Sequence, residues 1–249
     1  MKTLLTGSYR PGEMYDFFDR REIAFQRTAF DFGASAGRNG HKLILTWSQH
    51  NLRSQMGQKK EELEGRSHPY RETADYFALL GFLSTTRSSS KALQSSGGIN
   101  FLLAGPDNEP ITPFPELSPE DGAALRELEK AGQVSRKIVS SPGRLLRSHL
   151  LRKAAEEANL VVAIGGGKAT SMLLGCEKLR PKIIPLSGFG GASEGFSSQL
   201  PSFSTAIKSL ANENTGRVFD LTTPNINWLF GAIAKDLSNA PKADLSDAG

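Results

Sequence analysis

Short apolar strands that alternate with helices along the chain predict an α/β fold, a doubly wound parallel sheet in a single domain. Three observations carry this. Leu43-Ile44-Leu45, Phe101-Leu102-Leu103 and Leu160–Ile164 are apolar throughout, as strands covered on both faces are. The segments between them space their apolar residues at helical intervals. Glycines gather where a strand gives way to a helix, at Gly7, at Gly165-Gly166-Gly167 and at Gly188, Gly190 and Gly191.

The first strand is Lys2–Thr6, closed by Gly7-Ser8. Ile23, Ala24, Phe30, Gly33, Ala34 and Gly37 then mark a helix over Arg21–Arg38, which Asn39-Gly40 stops. His41–Trp47 reads as the second strand, so the opening is a βαβ unit. Ser48–Arg66 is polar and charged and reads as a loop with a short helix, and Tyr70–Leu83 regains a helical rhythm through Ala74, Phe77, Ala78, Leu80 and Phe82. The stretch Thr85–Gly98 is rich in serine with few apolar residues and is expected to be the loosest internal connection, and movement is expected in the loop from Ser84 to Ser96. Ile99–Ala104 is the third strand. Ser118-Pro119-Glu120-Asp121 opens a helix to Lys130, with serine as N-cap, proline in the first helical position and acids in the first turn. Val134–Val139 reads as an edge strand, Arg144–Ala158 as a helix and Asn159–Ile164 as the clearest buried strand. A helix over Ala169–Lys178 and a strand over Lys182–Leu186 follow. A helix Phe203–Asn212, a strand Arg217–Leu221 and a helix Asn225–Leu237 complete a domain expected to span 1–237, with 238–249 a polar tail.

Composition narrows the functions. The chain has 249 residues, 38% of them hydrophobic and 22% charged, inside the ordinary globular range. The sole cysteine, Cys176, excludes a disulfide framework and a cysteine-based zinc site, and it points to an intracellular, cytoplasmic protein. No window approaches the roughly 18 apolar residues of a membrane helix, so no membrane partner is expected. A net charge of +4 is small for a nucleic-acid coat and sufficient for a small anionic ligand. His41, His50, His68 and His149 have no metal-ligand spacing, and no serine stands in a G-x-S-x-G elbow, so neither a metal nor a cofactor is expected.

In parallel sheets, ligands bind beyond the carboxyl ends of the strands, which directs attention to the strand-end loops. Gly165-Gly166-Gly167-Lys168-Ala169-Thr170 joins a buried strand to a helix. Glycines let a backbone approach phosphate, the first amides of a helix favour an anion, Thr170 adds a hydroxyl and Lys168 a charge. Ala169 breaks the Walker ending, and Thr170 occupies the third glycine of G-x-G-x-x-G. Three consecutive glycines exceed what a tight turn needs. The second cluster, Gly188-Phe189-Gly190-Gly191 followed by Glu194, would close on the same ligand. Gly7 and Ser8, with Tyr9 and Arg10 within reach, form a third wall. Arg144 and Arg147 share one helix face and suit bidentate contact with a diphosphate.

The order of Gly7-Ser8, the helix with Phe30, Gly33, Ala36 and Gly40-His41, the run Asn159–Thr170 and the segment Lys182–Leu186 with Gly190-Gly191-Ala192 resembles the SLOG superfamily. That group contains the cytokinin-activating LOG phosphoribohydrolases, the DNA-processing protein DprA and nucleotide-sensing domains of antiphage effectors. The resemblance covers most of residues 1–200 and implies a Rossmann-like domain that binds a nucleotide-type ligand and pairs into a homo-oligomer. LOG enzymes carry a Pro-Gly-Gly-x-Gly-Thr-x-x-Glu loop whose glutamate acts with an arginine from the preceding helix. Here Gly165 takes the proline position, Ala169 the last glycine and Thr170 the threonine, while Met172 and Leu173 stand where carboxylates belong. The arginine position falls near Leu150, with Arg147 and Arg152 out of register.

Hydrolysis of a glycosidic bond needs a carboxylate to stabilise the ribosyl cation or activate water, and Met172 does neither. The resemblance then implies a sensor of an ADP-ribose-derived or related signalling nucleotide in a defence or stress system, working through a partner effector protein. Two alternatives stay open. One is a nucleotide or NAD hydrolase of LOG type in which Glu194 or Asp16 replaces the lost carboxylate. The other is DprA-like binding of single-stranded DNA, against which the modest net charge speaks.

Overall fold

The computed structural model describes residues 1–8, 20–48, 73–87, 97–104, 117–139, 146–186 and 191–193. Its elements in chain order are β1 (Lys2–Thr6), α1 (Arg20–Arg38), β2 (Lys42–Ser48), α2 (Ala74–Arg87), β3 (Ile99–Ala104), α3 (Pro119–Lys130), β4 (Val134–Ile138), α4 (Leu146–Glu157), β5 (Leu160–Ile164), α5 (Lys168–Leu174), a 3-10 turn (Glu177–Lys182) and β6 (Ile183–Leu186). The six strands form one sheet in the order β4-β3-β2-β1-β5-β6, and every pairing is parallel.

The residues of the inner strands alternate between two cores, which explains why those strands carry no polar face, while β4 at the sheet edge is largely exposed. Leu5, Leu43, Leu45, Ile99, Phe101, Val162 and Ile164 point into a layer filled by Phe25, Ala29 and Phe32 of α1, Ala78, Leu79 and Phe82 of α2 and Leu125 and Leu128 of α3. Leu4, Ile44, Leu102, Val161 and Ala163 point the other way, onto Leu150, Leu151 and Ala154 of α4 and Leu173 and Leu174 of α5. Each central strand therefore buries both faces, the condition of a doubly wound sheet. Within the first layer α1 and α2 touch backbone to backbone. A Cβ on Gly33 would strike the Ala78 carbonyl, and one on Gly81 would strike the Phe30 carbonyl.

Most elements fall where the sequence puts them, and α3 starts as its signals require. Ser118 Oγ accepts the Asp121 N–H at 3.1 Å and donates to Asp121 Oδ2 at 2.7 Å. Ser118→Ala is expected to cost about 1 kcal/mol, read as a shifted denaturant midpoint with an unchanged slope. Two expectations need correction. The serine-rich connection and its movable loop do not begin at Thr85 and Ser84, because α2 runs on to Arg87. Ser84, Thr85 and Thr86 each turn their hydroxyl back onto the carbonyl three residues earlier, at 2.7 Å, so these polar side chains are satisfied by the helix itself. The helix after Gly167 stops at Leu174 rather than Lys178, since Gly175 is a poor helix former and the chain tightens there into the 3-10 turn. The short helix expected within 48–66, the expected elements beyond residue 200, the polar tail and most of the movable loop lie outside the described residues.

Candidate ligand-binding site

The strand order runs outward in one direction from β1 to β4 and in the other from β5 to β6, so the crossover changes side between β1 and β5. This reversal leaves a crevice above the carboxyl ends of the two strands. Gly7-Ser8 leaves β1 there and Gly165-Gly166-Gly167 leaves β5. Main-chain bonds tie the loops together. The Gly166 N–H donates to Ser8 O at 2.9 Å, the Ala192 N–H donates to Gly166 O at 2.9 Å, and the Ser193 N–H donates to Gly165 O at 3.0 Å. The Ser193 hydroxyl adds a buried bond to Gly165 O at 2.9 Å. Three stretches 7–8, 165–167 and 191–193, far apart in sequence, thus meet at one point.

The glycines are required by this meeting. Gly7 has φ +140°, and a Cβ on it would collide with the Ile164 carbonyl. Gly166 has φ +92° and has the Thr170 side chain where its own would stand. Thr170 is itself buried, so its side chain packs the turn from within. Part of the glycine requirement is therefore loop against loop. Lys168 is exposed at the first position of α5, and Gly167 caps that helix in extended conformation with no side-chain bond.

Cations and one buried acid stand on the neighbouring elements. Arg147 lies in the first turn of α4, which holds no acid, whereas the first turn of α3 holds Glu120 and Asp121. Arg147 therefore belongs to the positive end of α4, which favours an anion near it. Arg147 makes no ion pair among the described residues. Arg152 and Lys153 point elsewhere: both bond Glu156, each at 3.1 Å, on the exposed face of α4. Met172, where the resemblance places a carboxylate, is 47% exposed, with the Ser148 hydroxyl 3.5 Å from its sulfur. Asp75 at the start of α2 is buried. Its Oδ1 accepts the Thr46 N–H at 3.0 Å and the Thr46 hydroxyl at 3.2 Å. Burial pushes this carboxyl up to about 6, against the lowering effects of the Thr46 bonds and the Arg147 charge.

No family model matches this chain, and no curated protein does. One solved structure that resembles it is the X-ray structure of TM1055, a structural-genomics target, at 16% identity and a TM-score of 0.44 over 92% of this chain and 98% of that one. The sheet itself decides the architecture: six parallel strands, helices on both faces and a reversal beside β1. The fold is Rossmann-like.

Of the residues singled out in the sequence, the Rossmann-like crevice brings together Gly7, Ser8, Gly165, Gly166, Gly167, Lys168, Thr170 and Gly191. Arg147 stands near enough to Asp75 for its charge to be felt there. Tyr9, Arg10, Asp16, Arg144, Gly188, Gly190 and Glu194 lie outside the described residues. Asp75 escaped sequence reading. An acid in the first turn of a helix is ordinary, and only the packing of α2 on β2 reveals that this one is buried. Among the described residues no cluster of histidine, cysteine and acids is arranged to hold a metal ion, and no helix is long and apolar enough to cross a membrane.

Proposed function

We propose that the chain binds a nucleotide-type ligand through its phosphates at the β1–β5 crevice, as a SLOG-type sensor rather than a LOG-type hydrolase. The observation that carries this reading is the convergence of three glycine loops on the reversal point of the sheet, with Lys168 at the start of α5 and Arg147 in the first turn of α4. The first amides of α5 and the cations Lys168 and Arg147 are groups that suit a diphosphate. The crevice offers no carboxylate on the described part of the loop after β5: Met172 and Leu173 occupy the positions from which one would act. The ligand class is ADP-ribose-derived or a related signalling nucleotide, and the output passes through a homo-oligomer to a partner effector in a defence or stress response.

Calorimetry with product analysis by mass spectrometry, over a panel of NAD, ADP-ribose, cyclic ADP-ribose isomers, cyclic dinucleotides and nucleoside monophosphates, tests this. Saturable binding without turnover is expected, weakened about tenfold or more by Lys168→Ala or Arg147→Ala. Release of a free base would replace the sensor by a hydrolase, and silence across the whole panel would refute the reading.

A further inference from the structure

The turn Gly165-Gly166-Gly167 is not held in shape by its own side chains. Glycine takes positive and negative φ about equally well, so a run of three does not by itself keep its peptide planes in one orientation. Gly165 and Gly166 nevertheless stand at φ +59° and +92°, and every carbonyl of the turn is engaged by the chain. Gly165 O accepts the Ser193 N–H at 3.0 Å and the Ser193 hydroxyl at 2.9 Å. Gly166 O accepts the Ala192 N–H at 2.9 Å, and Gly167 O accepts the Ser171 N–H of α5 at 2.9 Å. Gly191 lies against the same turn, where a Cβ would strike the Gly166 carbonyl. Among the described residues the hydroxyl of Ser193, a fully buried residue, is the one side-chain group bonded to the turn.

Peptide planarity gives these bonds a direction. In a trans peptide the C=O and the N–H point opposite ways, and no peptide among the described residues is cis. Gly165 O points to Ser193, beyond β6, while the Gly166 N–H of the same plane points to Ser8 O, beyond β1. In the next plane Gly166 O points to Ala192, so the Gly167 N–H is turned to the β1 side, where no group among the described residues accepts it. We infer that Ser193 is a positioning residue of the binding site: its hydroxyl, bonded to Gly165 O, keeps the N–H groups of the glycine turn on the β1 side and so sets the preference for an anionic, phosphate-bearing ligand. This rests on the binding reading above, in which the turn is one wall of the site. Successive N–H groups on one side of a turn attract an anion, and rotation of either plane would put a carbonyl oxygen in their place. The hydroxyl is a second donor on an oxygen that already has one. Its loss leaves Gly165 O bonded to the N–H of residue 193, so no buried acceptor is orphaned and the fold is not at stake.

The test compares the wild-type chain with Ser193→Ala and with Thr3→Val, which removes a buried hydroxyl bonded to the Lys42 carbonyl at the opposite end of the sheet. Amide exchange is followed by NMR without ligand, and affinity for each member of the nucleotide panel above is measured by calorimetry. Ser193→Ala should speed exchange of the Gly166 N–H about tenfold and leave the core strands unchanged. It should weaken each phosphate-bearing ligand that the wild type binds by about three- to tenfold. Thr3→Val should leave both quantities as they are. A serine with a structural role alone would shift the unfolding midpoint while the folded protein kept its affinity and its Gly166 exchange rate. Either quantity unchanged in Ser193→Ala would overturn the inference and leave the binding reading intact, and so would equal weakening by Thr3→Val. Silence of the wild type across the whole panel would remove the binding reading and this inference with it.

Discussion

Gly7→Ala is expected to lower the unfolding free energy by about 3–5 kcal/mol. Two costs add here. The backbone at φ +140° is one that an alanine rarely adopts, and the new methyl would sit on the Ile164 carbonyl at the end of the neighbouring strand. Relief requires β1 and β5 to part, which loosens the Gly166–Ser8 bond and with it the third loop. Gly132→Ala provides the control. Gly132 also has a positive φ, +69°, but nothing lies within 4 Å of its missing Cβ, so backbone strain of about 1 kcal/mol is all it should lose. Denaturant unfolding of the two variants side by side would decide the matter, and equal losses would show that the contact with Ile164 carries no weight.

Asp75→Asn should stabilise the protein at neutral pH, by up to about 3 kcal/mol. The sign follows from proton affinities. The folded state holds the Asp75 proton up to about pH 6, whereas the unfolded chain releases it at the ordinary value of 3.8. Between those limits the folded state binds more protons than the unfolded one, so stability falls as pH rises from about 4 to 6 and the penalty stays above that. Asparagine, which is neutral throughout, escapes it. The difference in stability between wild type and Asp75→Asn should vanish below about pH 4 and reach its plateau above pH 7. A difference independent of pH would mean that Asp75 is not perturbed by its burial.

The sheet was legible because its strands, from Leu43–Leu45 to Leu160–Ile164, are apolar on both sides and admit little else. The Ser118 cap was legible because capping is local chemistry. The glycine loops were recognised as strand ends, but their mutual bonds depend on the strand order, and no local signal states that β1 lies between β2 and β5. The same limit hid Asp75, whose meaning arises from Thr46, 29 positions earlier. The end of α2 was misplaced because Ser84, Thr85 and Thr86 have loop-like composition, and the three hydroxyls instead find acceptors on their own helix.

The place of β1 has a further consequence, for the order in which the molecule assembles. Its partner on one side is β2, close in sequence, but on the other it waits for β5: Lys2 N–H bonds Asn159 Oδ1 across 157 positions. At roughly 5–20 residues per second, a nascent chain carries β1 with one edge unpaired for on the order of ten to thirty seconds. The half made of β1 to β4 and α1 to α3 can consolidate during that interval, with α1 and α2 already locked at Gly33 and Gly81. The seam between β1 and β5 closes only once β5 has emerged. Until it does, that exposed edge is open to capture by a chaperone or by another nascent strand.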